Sequence, residues 1–319
     1  GYDRIPIKET ISIVVTPPAP EARAMELIRS TLVSAGFFEA VTFTFASDVL
    51  AGDFLPPEYA SLPRADAAVR KADARLRPSL LPGLLEAVRR NEANGTAGAK
   101  FFEAGSTFGV DAGGKIIETR KLALVGDQDL RAVRGAVEAI LGKLDATRGV
   151  VVVPPSTVTT PARPGYASGA CGRIEWCGKP VGYVGRIDRK VAGKISLREA
   201  PTAAELDLPA LLAGTQHVPQ LRPLPRFPAV RRDLSLIVKE ATRYDAIEAI
   251  VRKLSLADLE ALEFVTTYRG KPLEKGQKSV TITLVFRSPT TTLTSEAVEA
   301  SVQRVIEAAK SDLGAALRT

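Results

Sequence analysis

The sequence of 319 residues predicts an α+β protein of two folded units: a mixed unit over 21–214, and a smaller one over 222–319 with the element order β-α-β-β-α-β. Three observations predict this. The chain is about twice the length of an ordinary single domain. Apolar residues recur at helical spacing in some segments and at alternating spacing in others, so helices and strands are interspersed. Between the two units, 215–228 (TQHVPQLRPLPRFP) holds four prolines, which predicts an extended crossing whose linker is 215–221.

Residues 1–20 read as a linker: 1–8 is polar without a signal-like apolar segment, and ISIVVTPPAP at 11–20 ends in three prolines. Met25, Leu27, Ile28, Leu32 and Val33 then recur at helical spacing, with Gly36 available as a left-handed cap. FFEAVTFTF at 37–45 predicts a half-buried strand, because Val41, Phe43 and Phe45 alternate with threonines. LRPSLLPGLL at 76–85 continues into EAVRRN as a helix with Ser79 before its apolar run. Strands are expected at 101–108, 121–125, 150–153, 170–176 and 180–187, and a helix at 133–144.

In the second unit, DLSLIV at 233–238 is a strand, and Ile247, Ile250, Val251 and Leu254 share one face of a helix over 244–254. Strands at 261–268 and 279–286 flank a loop containing Gly270, Pro272 and Gly276. In the second of them Val280, Ile282, Leu284 and Phe286 point inward and Thr281 and Thr283 outward. Thr294 or Ser295 caps a last helix with Val298, Val302, Ile306 and Ala309 as its stripe, and 315–318 supplies a closing strand. This is the split βαβ, or ferredoxin-like, order: two helices on one face of a four-stranded antiparallel sheet, with the other face left open.

Composition excludes several functions. One histidine, His217, and two cysteines, Cys171 and Cys177, are too few for a Cys/His zinc site or a disulfide framework, and they fit a reducing cytoplasm. A serine triad would rest on an imidazole in a linker. No apolar run reaches the roughly 18 residues that cross a bilayer. The formal charge of +7 favours approach to a polyanion, and residues 221–319 carry about four more basic than acidic side chains.

Several runs, in this order, resemble the carboxyl-terminal part of the β subunit of bacterial phenylalanyl-tRNA synthetase. They are LRPSLLPGLL (76–85), FFEAGSTF (101–108), RFPAVRRDLSLIV (226–238), YRGKPLEKGQKS (268–279) and TLTSEAV (292–298). GYDRIP resembles the end of a preceding module, so residues 1–20 are expected to lead in from an upstream domain that is missing here, and editing of mischarged tRNA is not expected of this chain. The resemblance implies a class II synthetase-like antiparallel sheet domain over 21–214 that is catalytic-like but has lost its chemistry, then a ferredoxin-like anticodon-binding domain over 222–319.

The resemblance also implies partners and sites. The family's catalysis belongs to the α subunit, so no catalytic residue and no metal ligand are assigned here. ATP and magnesium are implied for an α2β2 holoenzyme but not for this chain. The α subunit, tRNA(Phe) and a cytoplasmic location are expected, with no membrane. For the subunit interface the candidates are Phe37, Phe38, Val41, Phe43, Phe45, Leu80, Leu81, Pro82 and Gly83. For tRNA they are Arg226, Arg231, Arg232, Tyr268, Arg269, Lys271 and Lys278, since arginine forks phosphate and tyrosine stacks on an unpaired base. Two departures stand out: Arg226 precedes Phe-Pro where the family tends to have Lys, and Arg163-Pro164-Gly165 replaces His-Pro-Gly. VGYVGRIDR at 181–189 reads as a glycine-punctuated strand and turn rather than a nucleotide-binding strand. The alternatives are a structural protein–protein module and a self-contained ATP-dependent ligase.

Overall fold

Contacts divide the chain into two units, Gly1–Pro219 and Gln220–Thr319. The computed structural model describes every residue except 8, 9, 11, 16–18, 67, 71, 128, 146–149, 154–162, 214, 216–220, 222, 223 and 319. His217 and most of the 215–221 linker therefore lie outside the described residues.

In the first unit the elements run α1 (Pro20–Ser34), β1 (Phe38–Glu39), β2 (Phe45–Ala46), α2 (Asp48–Ala51), β3 (Arg75–Leu76), α3 (Leu81–Ala93), β4 (Phe101–Val110), β5 (Ile116–Val125), α4 (Leu130–Leu144), β6 (Val150–Val153), β7 (Tyr166–Trp176), β8 (Lys179–Ile187), α5 (Arg189–Lys194), β9 (Thr202–Asp207) and α6 (Leu208–Ala213). Seven strands form one sheet in the order β1-β4-β5-β9-β8-β7-β6. Its pairs are antiparallel except β1–β4.

The sheet is packed on both faces. Leu122 and Leu124 of β5 join α1 and α4 in one core, while Ala123 and Val125 join α3 in a second. α1 ends as expected: Gly36 has φ +83°, its N–H bonds the carbonyl of Val33 at 3.0 Å, and the Phe37 N–H bonds that of Leu32 at 3.0 Å. That turn drives Phe37 into the first core.

The half-buried strand expected over 37–45 is not formed. Only the short β1 and β2 remain, and between them Val41 is 95% and Phe43 80% exposed. Thr42 is the residue that turns inward, held by a hydrogen bond to Glu103 Oε2 at 2.6 Å. Thr44 is exposed like Val41 and Phe43, and Phe45 is half-buried, so the expected alternation of buried apolar and exposed threonine residues is not realised.

β9 is central in the sheet and was not expected. Its sequence TAAELD has no apolar alternation, because five of its six residues are buried on the two packed faces. The glycines of β8 are explained by this neighbour and by β7. A Cβ at Gly182 would overlap the backbone carbonyl of Glu205, and one at Gly185 the carbonyl of Ala170. Gly182→Ala and Gly185→Ala are each expected to destabilise the first unit by about 1–3 kcal/mol, read as a shift in its urea midpoint. Unchanged midpoints would mean that the strands spread at no cost.

The second unit contains β10 (Val230–Lys239), α7 (Tyr244–Lys253), β11 (Leu259–Tyr268), β12 (Gln277–Phe286), α8 (Ser295–Leu313) and β13 (Ala316–Leu317). Its sheet runs β11-β12-β10-β13, antiparallel throughout. This is the ferredoxin-like arrangement expected from the element order. Leu234, Leu236 and Val238 of β10 and Val280, Ile282, Leu284 and Phe286 of β12 pack under α7 and α8. Thr294 caps α8, its hydroxyl accepting from the Ala297 N–H at 3.3 Å, and Gly314 ends that helix with φ +62°.

Candidate nucleic-acid interface and subunit surface

Strand alternation sends the remaining residues of the second unit's sheet to the face without helices. β10 contributes Arg231, Asp233, Ser235 and Ile237, and β12 contributes Ser279, Thr281, Thr283 and Val285, in a register that sets Arg231 opposite Val285 and Ser235 opposite Thr281. The face is polar and internally bonded: Thr283 donates to Asp233 at 2.5 Å, and the hydroxyls of Ser235 and Thr281 are 2.8 Å apart.

Its charged residues are unevenly committed. Arg231 forks Glu263 of β11 at 2.9 and 3.2 Å. Arg269 forks Glu240 at 2.7–3.1 Å, and Lys278 donates to the carbonyl of Glu240 at 2.8 Å. The hydrogen bond from Arg269 holds the Glu240 carboxyl below its usual range and raises the guanidinium in turn. Arg232, opposite Leu284 and so on the other side of the strand, donates to the carbonyl of Arg231 at 3.0 Å. Arg226 and Lys271 are exposed, without an ion pair among the described residues.

Tyr268 ends β11 and is 39% exposed. Its hydroxyl donates to the carbonyl of Lys271 at 2.7 Å, and the guanidinium of Arg318 lies 4.6 Å from its ring centre. Ser279, opposite Tyr268 in the register, is buried, and its hydroxyl has no hydrogen-bond partner among the described residues. The structure thus gathers Tyr268, Arg269, Lys271 and Lys278 at one end of the sheet, whereas Arg231, opposite Val285, lies six residues along the strands from the level of Tyr268 and Ser279. Arg318 was missed. The signal was present, because a closing strand over 315–318 antiparallel to β10 places residue 318 beside Ser235 on the open face.

Among the interface candidates of the first unit, Phe37, Leu80 and Leu81 belong to the internal cores and present no surface. Leu80 and Leu81 are fixed there because they open α3, where Ser79 Oγ and the Leu80 N–H both donate to Glu205 Oε1, at 2.8 and 2.9 Å. Phe38 (67% exposed), Val41 and Phe43 are outward. Phe45 is half-buried beneath Arg70, 4.4 Å from its ring. Phe43, Phe45, Pro82 and Gly83 line a cavity of about 380 Å³ with Arg70 and Arg77.

On the α3 side of the sheet a second cavity, of about 370 Å³, is lined by Glu58, Lys121, Arg163, Tyr183, Glu205 and Asp207. Its cations are already paired, Lys121 with Asp207 at 3.1 Å and Arg163 with Glu58 at 3.2 Å. Arg163, standing where the resembling family has an imidazole, lies over the Tyr183 ring at 4.9 Å. Burial pulls its pKa down, but Glu205 and Glu58 outweigh that and raise it. Burial pushes the nearby Cys171 thiol up to about 12, and both cysteines are free.

Residues 7–208 match the family described as "Phenylalanyl tRNA synthetase beta chain CLM domain", and 225–318 match "Ferredoxin-fold anticodon binding domain". The chain is similar to phenylalanine–tRNA ligase beta subunits of Moorella thermoacetica (30% identical, 100% of this chain, 41% of that protein) and Anaeromyxobacter dehalogenans (32%, 100% and 41%). It therefore spans about two fifths of the length of these curated relatives. Among solved structures, a pyrrolysyl-tRNA synthetase from Desulfitobacterium hafniense aligns with TM-score 0.47 at 19% identity, over 61% of this chain and 70% of its own.

Proposed function

The chain belongs to the phenylalanyl-tRNA synthetase β-chain family, and we propose that it serves phenylalanine–tRNA ligase without carrying the chemistry itself. The first unit scaffolds a catalytic α subunit, and the second holds the anticodon region of tRNA(Phe). The observation that carries this reading is the open sheet face of the second unit, where an exposed tyrosine sits among basic residues beside a face already filled by helices.

The first unit supports the non-catalytic half of the proposal. A triphosphate needs cations free to clamp it. In the cavity over the sheet, Lys121 and Arg163 are each held by a carboxylate, and Glu205 and Asp207 add negative charge. These residues do not fit a nucleotide triphosphate, so ATP and magnesium are assigned to the α subunit. The reading extends to an α2β2 assembly in the cytoplasm. No helix among the described residues is long and apolar enough to cross a membrane.

Two measurements test the reading. The chain should bind a tRNA(Phe) transcript with an affinity that falls steeply with salt, and Arg226→Ala should lower it severalfold, because that guanidinium is uncommitted. The chain alone should not support exchange of pyrophosphate into ATP with phenylalanine. Saturable exchange would favour a self-contained ligase, and salt-independent or absent tRNA binding would remove the anticodon role.

A further inference from the structure

We propose that the cavity over β5, β9 and β8 in the first unit is a binding site for a small primary amine, held through its ammonium group by the free oxygen of Glu205. Nothing in the second unit takes part, so the site stands or falls apart from the tRNA reading.

Register sets the floor of the cavity. Lys121 of β5 pairs with Asp207 of β9, and Glu205 of β9 pairs with Tyr183 of β8, so all four side chains rise from one face of the sheet. Arg163 and Glu58 join them in the lining, with Pro57 and Pro180 as apolar wall. The space of about 370 Å³ is more than an ammonium group needs and leaves room for a short carbon chain against the prolines.

The charges in the lining do not balance: three carboxylates face two cations, which leaves one negative charge over. Two of the carboxylates are spent. Asp207 accepts from Lys121 at 3.1 Å and from the Ala210 N–H at 3.0 Å, and both oxygens of Glu58 accept from Arg163 Nη1, at 3.2 and 3.4 Å. Glu205 differs. It is only 8% exposed, its Oε1 takes both donors at the start of α3, and its Oε2 accepts no hydrogen bond among the described residues. Arg163 is drawn by the charge of Glu205 but bonds Glu58 instead. The Tyr166 hydroxyl, which feels the charges of Glu205 and Arg163, is also buried without a hydrogen-bond partner among the described residues, so polar groups around Glu205 outnumber the partners the chain supplies. A buried carboxylate with one oxygen unserved is costly, and a charged donor delivered from the cavity removes that cost.

The single free oxygen selects the donor. A guanidinium binds best to both oxygens of a carboxylate, and Oε1 is already taken, whereas an ammonium is a point charge that one oxygen satisfies. A quaternary ammonium needs open aromatic faces, and the Tyr183 ring carries Arg163 at 4.9 Å. A divalent ion needs several oxygens at once, and among the described residues no group of His, Cys, Asp and Glu side chains is placed to hold one. A zwitterion brings a carboxylate of its own, for which Lys121 and Arg163 would have to leave the carboxylates they hold.

The test is calorimetric titration of the whole chain with n-butylamine hydrochloride at neutral pH. One saturable site is expected, and n-butanol (neutral) and norvaline (the same amine with a carboxylate added) should each bind about tenfold more weakly or worse. Glu205→Gln keeps an acceptor for Ser79 and Leu80 but turns a neutral amide to the cavity, and should lower the affinity for n-butylamine about tenfold or more. Lys121→Met removes a repelling cation and releases Asp207, and should raise that affinity severalfold, an increase that damage to the fold does not produce. Absence of saturable binding to the wild-type chain, wild-type affinity in Glu205→Gln, or an affinity in Lys121→Met no higher than wild type would each overturn the site. Where urea shows Glu205→Gln to be unfolded, the Lys121→Met result decides alone. Norvaline binding as tightly as n-butylamine, or magnesium chloride displacing the amine at equal concentration, would overturn the ligand class in favour of a zwitterion or a metal ion.

Discussion

Arg77→Met will destabilise the first unit by about 3–5 kcal/mol, whereas the double replacement Arg77→Met with Glu103→Leu will recover most of the loss. Both side chains are buried, and Arg77 Nη1 lies 2.7 Å from Glu103 Oε1. The guanidinium also donates to the carbonyl of Ser106 at 2.8 Å and to Thr42 Oγ1 at 3.1 Å, and Thr42 Oγ1 donates to the other carboxylate oxygen at 2.6 Å. Removing the arginine alone leaves an ionised carboxylate in the protein interior with one hydroxyl for company. Removing both charges leaves an apolar pair of similar volume, which interiors tolerate well. Urea unfolding of the single and double variants measures the difference. A single-variant loss under about 1 kcal/mol would mean that water reaches Glu103.

This network explains why part of the architecture was legible in the sequence and part was not. Elements whose information is local were read closely. Examples are the stripe of α8 with its Thr294 cap, the glycine closing α1, and the alternation of β12, where Val280, Ile282 and Leu284 do point into the core. What failed was decided by distant residues. Thr42 faces inward because Glu103 and Arg77, far along the chain, receive it, and Val41 and Phe43 are thereby turned to solvent. β9 is a strand because the sheet covers an alanine- and glutamate-containing segment on both faces, and nothing local to TAAELD announces it. The candidate site shows the same division. The types and rough positions of Arg231 and Arg269 were evident, but their neutralisation by Glu263 and Glu240 depends on pairs 32 and 29 residues apart in sequence. The least committed guanidinium against Tyr268, that of Arg318, is brought there by strand order alone.

Val41→Ser with Phe43→Ser will leave the unfolding midpoint of the first unit within about 0.5 kcal/mol and weaken association with the α subunit by about 30-fold or more. Exposed side chains at 95% and 80% contribute little to folding, since solvent already reaches them in the native state. The same exposure is costly for an isolated protein to maintain unless a partner covers it, and an aromatic residue at the centre of such a patch is the usual energetic anchor. Phe43 also borders the cavity lined by Arg70, Asp73, Glu86 and Arg90, so a partner seated on it would meet a rim of both charge signs beside the exposed ring. Phe37→Ser supplies the opposite case. That ring is in the core, so the substitution should cost about 3–5 kcal/mol of stability whether or not a partner is present. Co-purification with the α subunit, run beside urea titration of each variant, separates the two outcomes. Full retention of the α subunit by the double serine variant would show that this surface is not where the subunits meet.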